Sequence, residues 1–246
     1  MRIRRILNLT FLVDSIDHVR EFYVDHLGLP FGLEREGLLA LFTGETKLEL
    51  LVAPSDAVGL IGRNTGLTLR CRGDGDLARL IRRIRPHARI AEGDFGEFRG
   101  GHRLMVSDPC GNRFAIWECA EQRGDMHMID GPASIAVRTR NVRQALDFYN
   151  GVLELPIADL PRPDTAVLFP DATNLILTPD ASWSPCPPLS GETGIFFYVE
   201  EMPSFAGMLA SRGVRFAEAP RVTGSVMAAS IRDPDGNILN LLGKVE

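Results

Sequence analysis

The stretch from Leu7 to Pro30, LNLTFLVDSIDHVREFYVDHLGLP, recurs without a gap from Ala133 to Pro156 as ASIAVRTRNVRQALDFYNGVLELP. Self-similarity at a long fixed offset means duplicated structural units. Phe22, Tyr23, Leu27, Leu29 and Pro30 match Phe148, Tyr149, Leu153, Leu155 and Pro156. Further on, ALFTGETKLELL (Ala40 to Leu51) is echoed by VLFPDATNLILT (Val167 to Thr178), and VSDPCGNRFAIWE (Val106 to Glu118) by IRDPDGNILNLLG (Ile231 to Gly243). Between them, GLTLRCRGDGDLARLI from Gly66 overlays GIFFYVEEMPSFAGML from Gly194. The order is the same throughout, so the chain reads as a first unit over 1–122, a linker over 123–129 and a second unit over 130–246. A length of 246 residues is enough for two domains, each with its own core.

Within a unit, changes of period give the order of elements. Leu9, Phe11 and Val13 alternate with Asn8, Thr10 and Leu12, which predicts a strand with one face committed to packing. Ser15 can then cap a helix that carries Val19, Phe22 and Tyr23 on one stripe and closes at Gly28, which favours a left-handed stop. Three short strands follow. The second half of the unit repeats the scheme, with a strand from Gly66, a helix over Leu77, Leu80 and Ile81, and strands joined by the turn from Asp108 to Asn112. Each unit is therefore two βαβββ modules, and the chain holds four.

The composition, 45% hydrophobic and 24% charged, is that of a soluble globular protein. A net charge of −5 gives no basic face for nucleic acid or for an anionic membrane, so the expected partner is a small molecule. The opening MRIRRILNLTFLV resembles a signal peptide, but Asp14, Ser15 and Asp17 cut its apolar run short and no small-residue cleavage site follows. It reads as a buried strand. No apolar stretch is long enough to span a bilayer. Cys71, Cys110, Cys119 and Cys186 show no C-x-x-C spacing, which argues against a zinc knuckle and for reduced thiols in a cytoplasmic protein.

A strand, a helix ending in FY-x-x-x-LGL (LEL in the second copy) and a terminal hairpin built on DPDGN (DPCGN in the first), in this order and twice over, resemble the vicinal oxygen chelate superfamily, which includes glyoxalase I, bleomycin-resistance proteins and extradiol dioxygenases. The resemblance covers nearly the whole chain and implies an α+β fold: four βαβββ modules forming two glyoxalase-like cupped mixed sheets, with helices on their outer faces. It also implies one divalent ion held inside a cup by His and Glu and used as a Lewis acid. In the first unit the ligand positions fall on Asn8, Glu49, Gly66 and Ala115, and in the second on Ser134, Ile176, Gly194 and Asn240. Glu49 alone is a good ligand type. A lone carboxylate does not outcompete water, so no cofactor is expected.

Taking Glu49 and its equivalents as inward, strand parity lines the first cup with Asn8, Thr10, Lys47, Glu49, Thr68, Arg70, Arg113 and Trp117, with Arg103 and Met105 on the neighbouring strand. The second cup is lined by Ser134, Arg138, Asn174, Ile176, Phe196, Tyr198, Ser230, Asn240 and Leu242. Catalytic roles are expected for Glu49, Arg70 and Arg103, the arginines on an anionic or carbonyl group and Glu49 on a proton. Asn8, Thr10, Trp117, Ser134, Phe196, Tyr198 and Asn240 are expected to bind the ligand, with the rings stacking on an aromatic molecule. The competing reading makes Glu49 a structural partner of arginine and Phe196 part of the core. Two functions stay open: a metal-free protein that sequesters a small molecule or acts on it with side chains alone, and a metal-dependent lyase, isomerase or extradiol-type dioxygenase. A homodimer is compatible with either.

Overall fold

The computed structural model describes residues 2–72, 76–90, 95–98, 101–119, 129–168, 173–179 and 191–245. All four modules are present as a strand, a helix and three strands. The first holds β1 (Ile3–Val13), α1 (Ile16–Arg20) running on into a π-helical turn (Glu21–His26), β2 (Phe31–Arg35), β3 (Leu38–Thr43) and β4 (Thr46–Val52). The second holds β5 (Asn64–Arg72), α2 (Asp76–Ile84), β6 (Phe95–Phe98), β7 (Gly101–Ser107) and β8 (Arg113–Cys119). The third holds β9 (Ile129–Arg138), α3 (Val142–Leu146) with its own π-helical turn (Asp147–Val152), β10 (Ile157–Arg162), β11 (Thr165–Leu168) and β12 (Asn174–Thr178). The fourth holds β13 (Gly191–Val199), α4 (Met202–Ser211), β14 (Phe216–Thr223), β15 (Val226–Arg232) and β16 (Asn237–Lys244).

The strands form two cupped, mixed, eight-stranded sheets, ordered β14-β15-β16-β13-β1-β4-β3-β2 and β10-β11-β12-β9-β5-β8-β7-β6. Residues 3–9 of β1 pair with the fourth module's β13, and residues 129–135 of β9 with the second module's β5. β1 pairs antiparallel with β13, setting Asn8 opposite Phe196, and β9 pairs antiparallel with β5, setting Ser134 opposite Thr68. All four modules carry one pattern, so the pattern does not specify which inner edge meets which. By contact the chain divides into two compact units, Met1–Leu9 with Ala136–Glu246, and Thr10–Ile135. The expected linker over 123–129 lies outside the described residues except for Ile129, which opens β9. No described helix is long and apolar enough to cross a membrane.

The FY and DP-x-GN signatures are two halves of one buried device. In the unit Thr10–Ile135, the Tyr23 hydroxyl donates to Asp108 Oδ2 at 2.9 Å, while the Asn112 N–H donates to Asp108 Oδ1 at 2.8 Å. Asn112 Nδ2 donates to Asp108 Oδ2 and to the Leu12 carbonyl, each at 3.0 Å, so the hairpin turn ties the end of β1 to the helix. Tyr149, Asp233, Asn237 and the Arg138 carbonyl repeat the arrangement in the other unit, at 2.8 to 3.0 Å. Burial pushes the Asp108 and Asp233 carboxyls up, and the hydrogen bonds from Asn112 and Asn237 pull them back down. The Tyr23 and Tyr149 hydroxyls are held well above their ordinary value by burial, then by the facing carboxylates.

A carboxyl raised in the folded state keeps its proton to higher pH than in the unfolded chain. Its contribution to stability is therefore fullest at low pH and is lost as pH rises from about 3.9 through the folded value. Urea denaturation at a series of pH values should show the stability advantage of the wild type over Asp108→Asn shrinking as pH rises across that window. An advantage that grew with pH would reverse the assignment.

The helices end as the repeat suggests, through different chemistry in the two copies. Leu27 and Leu153 donate to the carbonyls of Phe22 and Tyr149's neighbour Phe148 at 2.8 and 2.9 Å, the i→i+5 bonds of a π turn. Ser15 sits at the expected cap position with extended backbone but makes no side-chain cap, whereas Asn141 accepts from the Gln144 N–H at 3.2 Å. Gly28 has φ +74°, and its counterpart Glu154 has φ 62°, a conformation that costs a non-glycine residue. Gly28→Ala is expected to lose about 1 to 2 kcal/mol by thermal denaturation, since the left-handed backbone penalises a Cβ.

Candidate functional site

In the unit Met1–Leu9 with Ala136–Glu246, one row of residues crosses the sheet. Asn8 on β1 faces Phe196 on β13, Phe196 faces Asn240 on β16, and Asn240 faces Ser230 on β15. Ile195, Phe197 and Val199 are buried together with Met202, Phe205 and Leu209 of α4, so by alternation Phe196 and Tyr198 belong to the opposite face, where both stay half-buried. Asn8, Ser230 and Asn240 are buried polar groups on that same row. Ser230 Oγ donates to Asn240 Oδ1 at 2.7 Å, and Asn240 Nδ2 donates to Glu192 Oε1 at 2.5 Å.

Two residues of this face were not legible in the sequence. The register of β1 against β13 shifts between Ile3 and Arg5, which sets Arg5 opposite Tyr198 with its guanidinium 5.6 Å from the ring centroid. Its Nε is buried and makes no hydrogen bond. Unbroken alternation from Ile3 assigns Arg5 to the packed face, so only a bulge could reveal it. Glu192 is displaced by a second irregularity, between Glu192 and Phe196. The residue as a whole is exposed, yet partial burial still pushes its carboxyl up, against the pull of Asn240 and of the Gly194 N–H.

In the unit Thr10–Ile135, Ser134, Thr68, Ala115 and Met105 form the equivalent row, and Arg70, Trp117 and Arg103 form the next. Leu67, Leu69, Phe114 and Ile116 are buried on the other face, leaving Arg70, Trp117 and Arg103 half-buried on this one. Thr10 Oγ1 donates to Glu49 Oε2 at 3.3 Å. Glu49 stands on β4 of the first sheet, while Arg70 and Arg103 stand on β5 and β7 of the second. Glu49, Arg70, Arg103 and Ser134 all belong to the unit Thr10–Ile135, and Phe196 and Asn240 to the unit Met1–Leu9 with Ala136–Glu246. Lys47 lies over the Phe42 ring at 5.4 Å, and Arg113 is exposed.

Of the eight positions at which the superfamily's ion ligands fall, Glu49 on β4 carries a carboxylate, which accepts from Thr10 Oγ1. Gly66 and Gly194, with φ +73° and +70°, occupy register irregularities where the backbone requires glycine, and the rows pass instead through Thr68 and Phe196. Ile176 packs in an apolar cluster with Ala136 and Val167, and Ala115 is buried. The Asn240 carbonyl already accepts from Ser230, and its NH₂ group presents a donor rather than a lone pair. What these rows offer is hydrogen bonding, ring faces and the Arg5 cation, a combination suited to gripping a small molecule.

Comparison with known proteins agrees with this architecture. The sequence model of the "Glyoxalase/Bleomycin resistance protein/Dioxygenase superfamily" matches residues 5–116 and again 131–241. A search of curated proteins found no match to the chain. Among solved structures, a "putative dioxygenase" from Bacillus subtilis subsp. subtilis str. 168 is similar with a TM-score of 0.70 at 13% identity, over 100% of this chain and 86% of that one. Glyoxalase I from Zea mays is similar with a TM-score of 0.68 at 18% identity, over 98% of this chain and 92% of that one. At such identities the two structures speak for the fold, and the family match, once per half and over most of the chain, settles membership. The chain belongs to the glyoxalase, bleomycin-resistance protein and dioxygenase superfamily, as a tandem two-unit member.

Proposed function

We propose that the chain binds a small planar molecule on the face built around Asn8, Phe196 and Asn240, without a metal ion at the superfamily's position. The observation that carries this reading is the row itself, in which a half-buried ring stands between two buried amides. Phe196 and Tyr198 supply flat apolar surface, and the amides satisfy the edge of a ring. Arg5, with a buried Nε that makes no hydrogen bond, suits a carboxylate or carbonyl on that edge. Glu192, oriented by Asn240 and raised by burial, is the group placed to accept or give a proton if the molecule is transformed rather than held. The half-buried row of Arg70, Trp117 and Arg103 is a second face of the same kind, suited to a planar anion.

A panel of planar carboxylates, phenols and quinones, followed by tryptophan fluorescence and calorimetry, tests the assignment. A bound compound should lose about 5- to 150-fold in affinity in Phe196→Ala or Tyr198→Ala, because an aromatic wall contributes roughly 1 to 3 kcal/mol of contact. Arg5→Met should weaken a carboxylate more than its uncharged analogue. Full affinity in all three variants, with loss in Arg70→Met and Arg103→Met, would move the site to the second face.

A further inference from the structure

We infer that Glu21, His26 and His87 form a binding site for a divalent transition-metal ion, zinc in the first instance, on the helical side of the unit Thr10–Ile135 and apart from both rows of the sheets. One ligand atom from each lies within 4.8 Å of the others. The π-helical turn makes the first pair. Residues five apart fall on different faces of a regular helix of 3.6 residues per turn, whereas i→i+5 bonding brings Glu21 and His26 to the same face. His87 follows the end of α2, whose Arg83 ties down the close of the π turn by donating to the Leu27 carbonyl at 3.2 Å.

The detailed geometry points to a ligand rather than to a simple ion pair. His26 Nε2 stands 3.2 Å from Glu21 Oε1, yet it is a buried nitrogen that makes no hydrogen bond. An unsatisfied buried nitrogen is a cost that a metal bond would remove. The imidazoles of His26 and His87 are stacked at 3.4 Å between centroids and 17° between planes, which keeps the two rings together. Imidazole lone pairs lie in the ring plane, so the exposed His87 ring has to turn for both nitrogens to reach one ion. Zinc bonds of about 2.0 to 2.2 Å in a tetrahedron set neighbouring donor atoms roughly 3.4 Å apart, close to the His26–Glu21 spacing. Two imidazoles and one carboxylate are a donor set that zinc accepts, with a fourth position left to water. Bound there, the ion would staple the π-helical turn to the end of α2.

Glu21 and His87 are exposed, so their replacement removes donors without opening the core. Metal-free, full-length chain titrated with Zn²⁺ by calorimetry, and with Co²⁺ by visible absorption, is expected to bind one equivalent with the intense d–d bands of a four-coordinate ion. Glu21→Gln and His87→Gln should each weaken Zn²⁺ binding at least tenfold, given that losing even an outer-shell partner of a metal ligand costs about 10- to 100-fold. Cys110→Ser, which removes the thiol that donates to Asp14, should leave the titration unchanged. Zinc should also raise the melting temperature of the wild type and not that of His87→Gln. No saturable Zn²⁺ binding by the wild type, or binding indifferent to both Glu21→Gln and His87→Gln, overturns the inference.

Discussion

Asp233→Ala is expected to destabilise its unit by about 3 to 5 kcal/mol, and Asp108→Ala to do the same in the other, because each removes the shared acceptor of a buried network. Asp233 accepts from the Tyr149 hydroxyl, the Asp235 N–H, the Asn237 N–H and Asn237 Nδ2, and the alanine leaves all four donors without that acceptor at a buried position. Tyr149→Phe should cost much less, since it deletes a donor and leaves Asp233 with both Asn237 bonds. Urea denaturation of the three single variants checks the order. Equal losses for Tyr149→Phe and Asp233→Ala would mean that the tyrosine bond, rather than the turn, holds the device together. The pairing explains physically why the FY and DP-x-GN signatures recur together: the aromatic end of the helix and the hairpin turn are donor and acceptor of one structure.

The second large effect concerns Gly243. A Cβ there would lie 2.2 Å from the Val199 carbonyl oxygen and 2.7 Å from Met202 Cβ, so it meets backbone rather than a side chain that could rotate away. β16 and β13 must therefore separate to admit even alanine. Gly243→Ala is expected to lose about 3 kcal/mol or more, at or beyond the upper end of overpacking costs, because no rotamer change relieves the clash. The same separation displaces Leu242 from Tyr198 and Asn240 from Phe196, which are partners across these strands. A ligand held on that face should weaken along with the fold. Calorimetric melting and binding of the same sample would show both, and a variant as stable as the wild type would mean that the strands can part freely.

Much of this was legible in the sequence because a gapless repeat carries both the period and the order of its elements. The strand alternation of Leu9, Phe11 and Val13, the left-handed close at Gly28 and the turn after Asp108 follow from local chemistry, and the structure reproduces them. The pairing of modules does not follow, since four edges with one pattern meet equally well on paper. Arg5 and Glu192 were hidden for a different reason. Each stands beside a register irregularity in β1 or β13, and a one-residue slip transfers a side chain to the other face. The π-helical turns were likewise read as ordinary helix, which concealed the juxtaposition of Glu21 with His26.

The most direct test of the central claim is ligand binding under metal control, in a Glu21→Gln, His87→Gln background that removes the proposed zinc site. A planar ligand identified in the wild type should bind this variant with equal affinity in the presence of a strong chelator and of added Zn²⁺ or Mn²⁺, and should lose that affinity on Phe196→Ala. The account is contradicted if chelation abolishes binding, one equivalent of a divalent ion restores it, and Glu49→Gln or Asn240→Ala prevents the restoration.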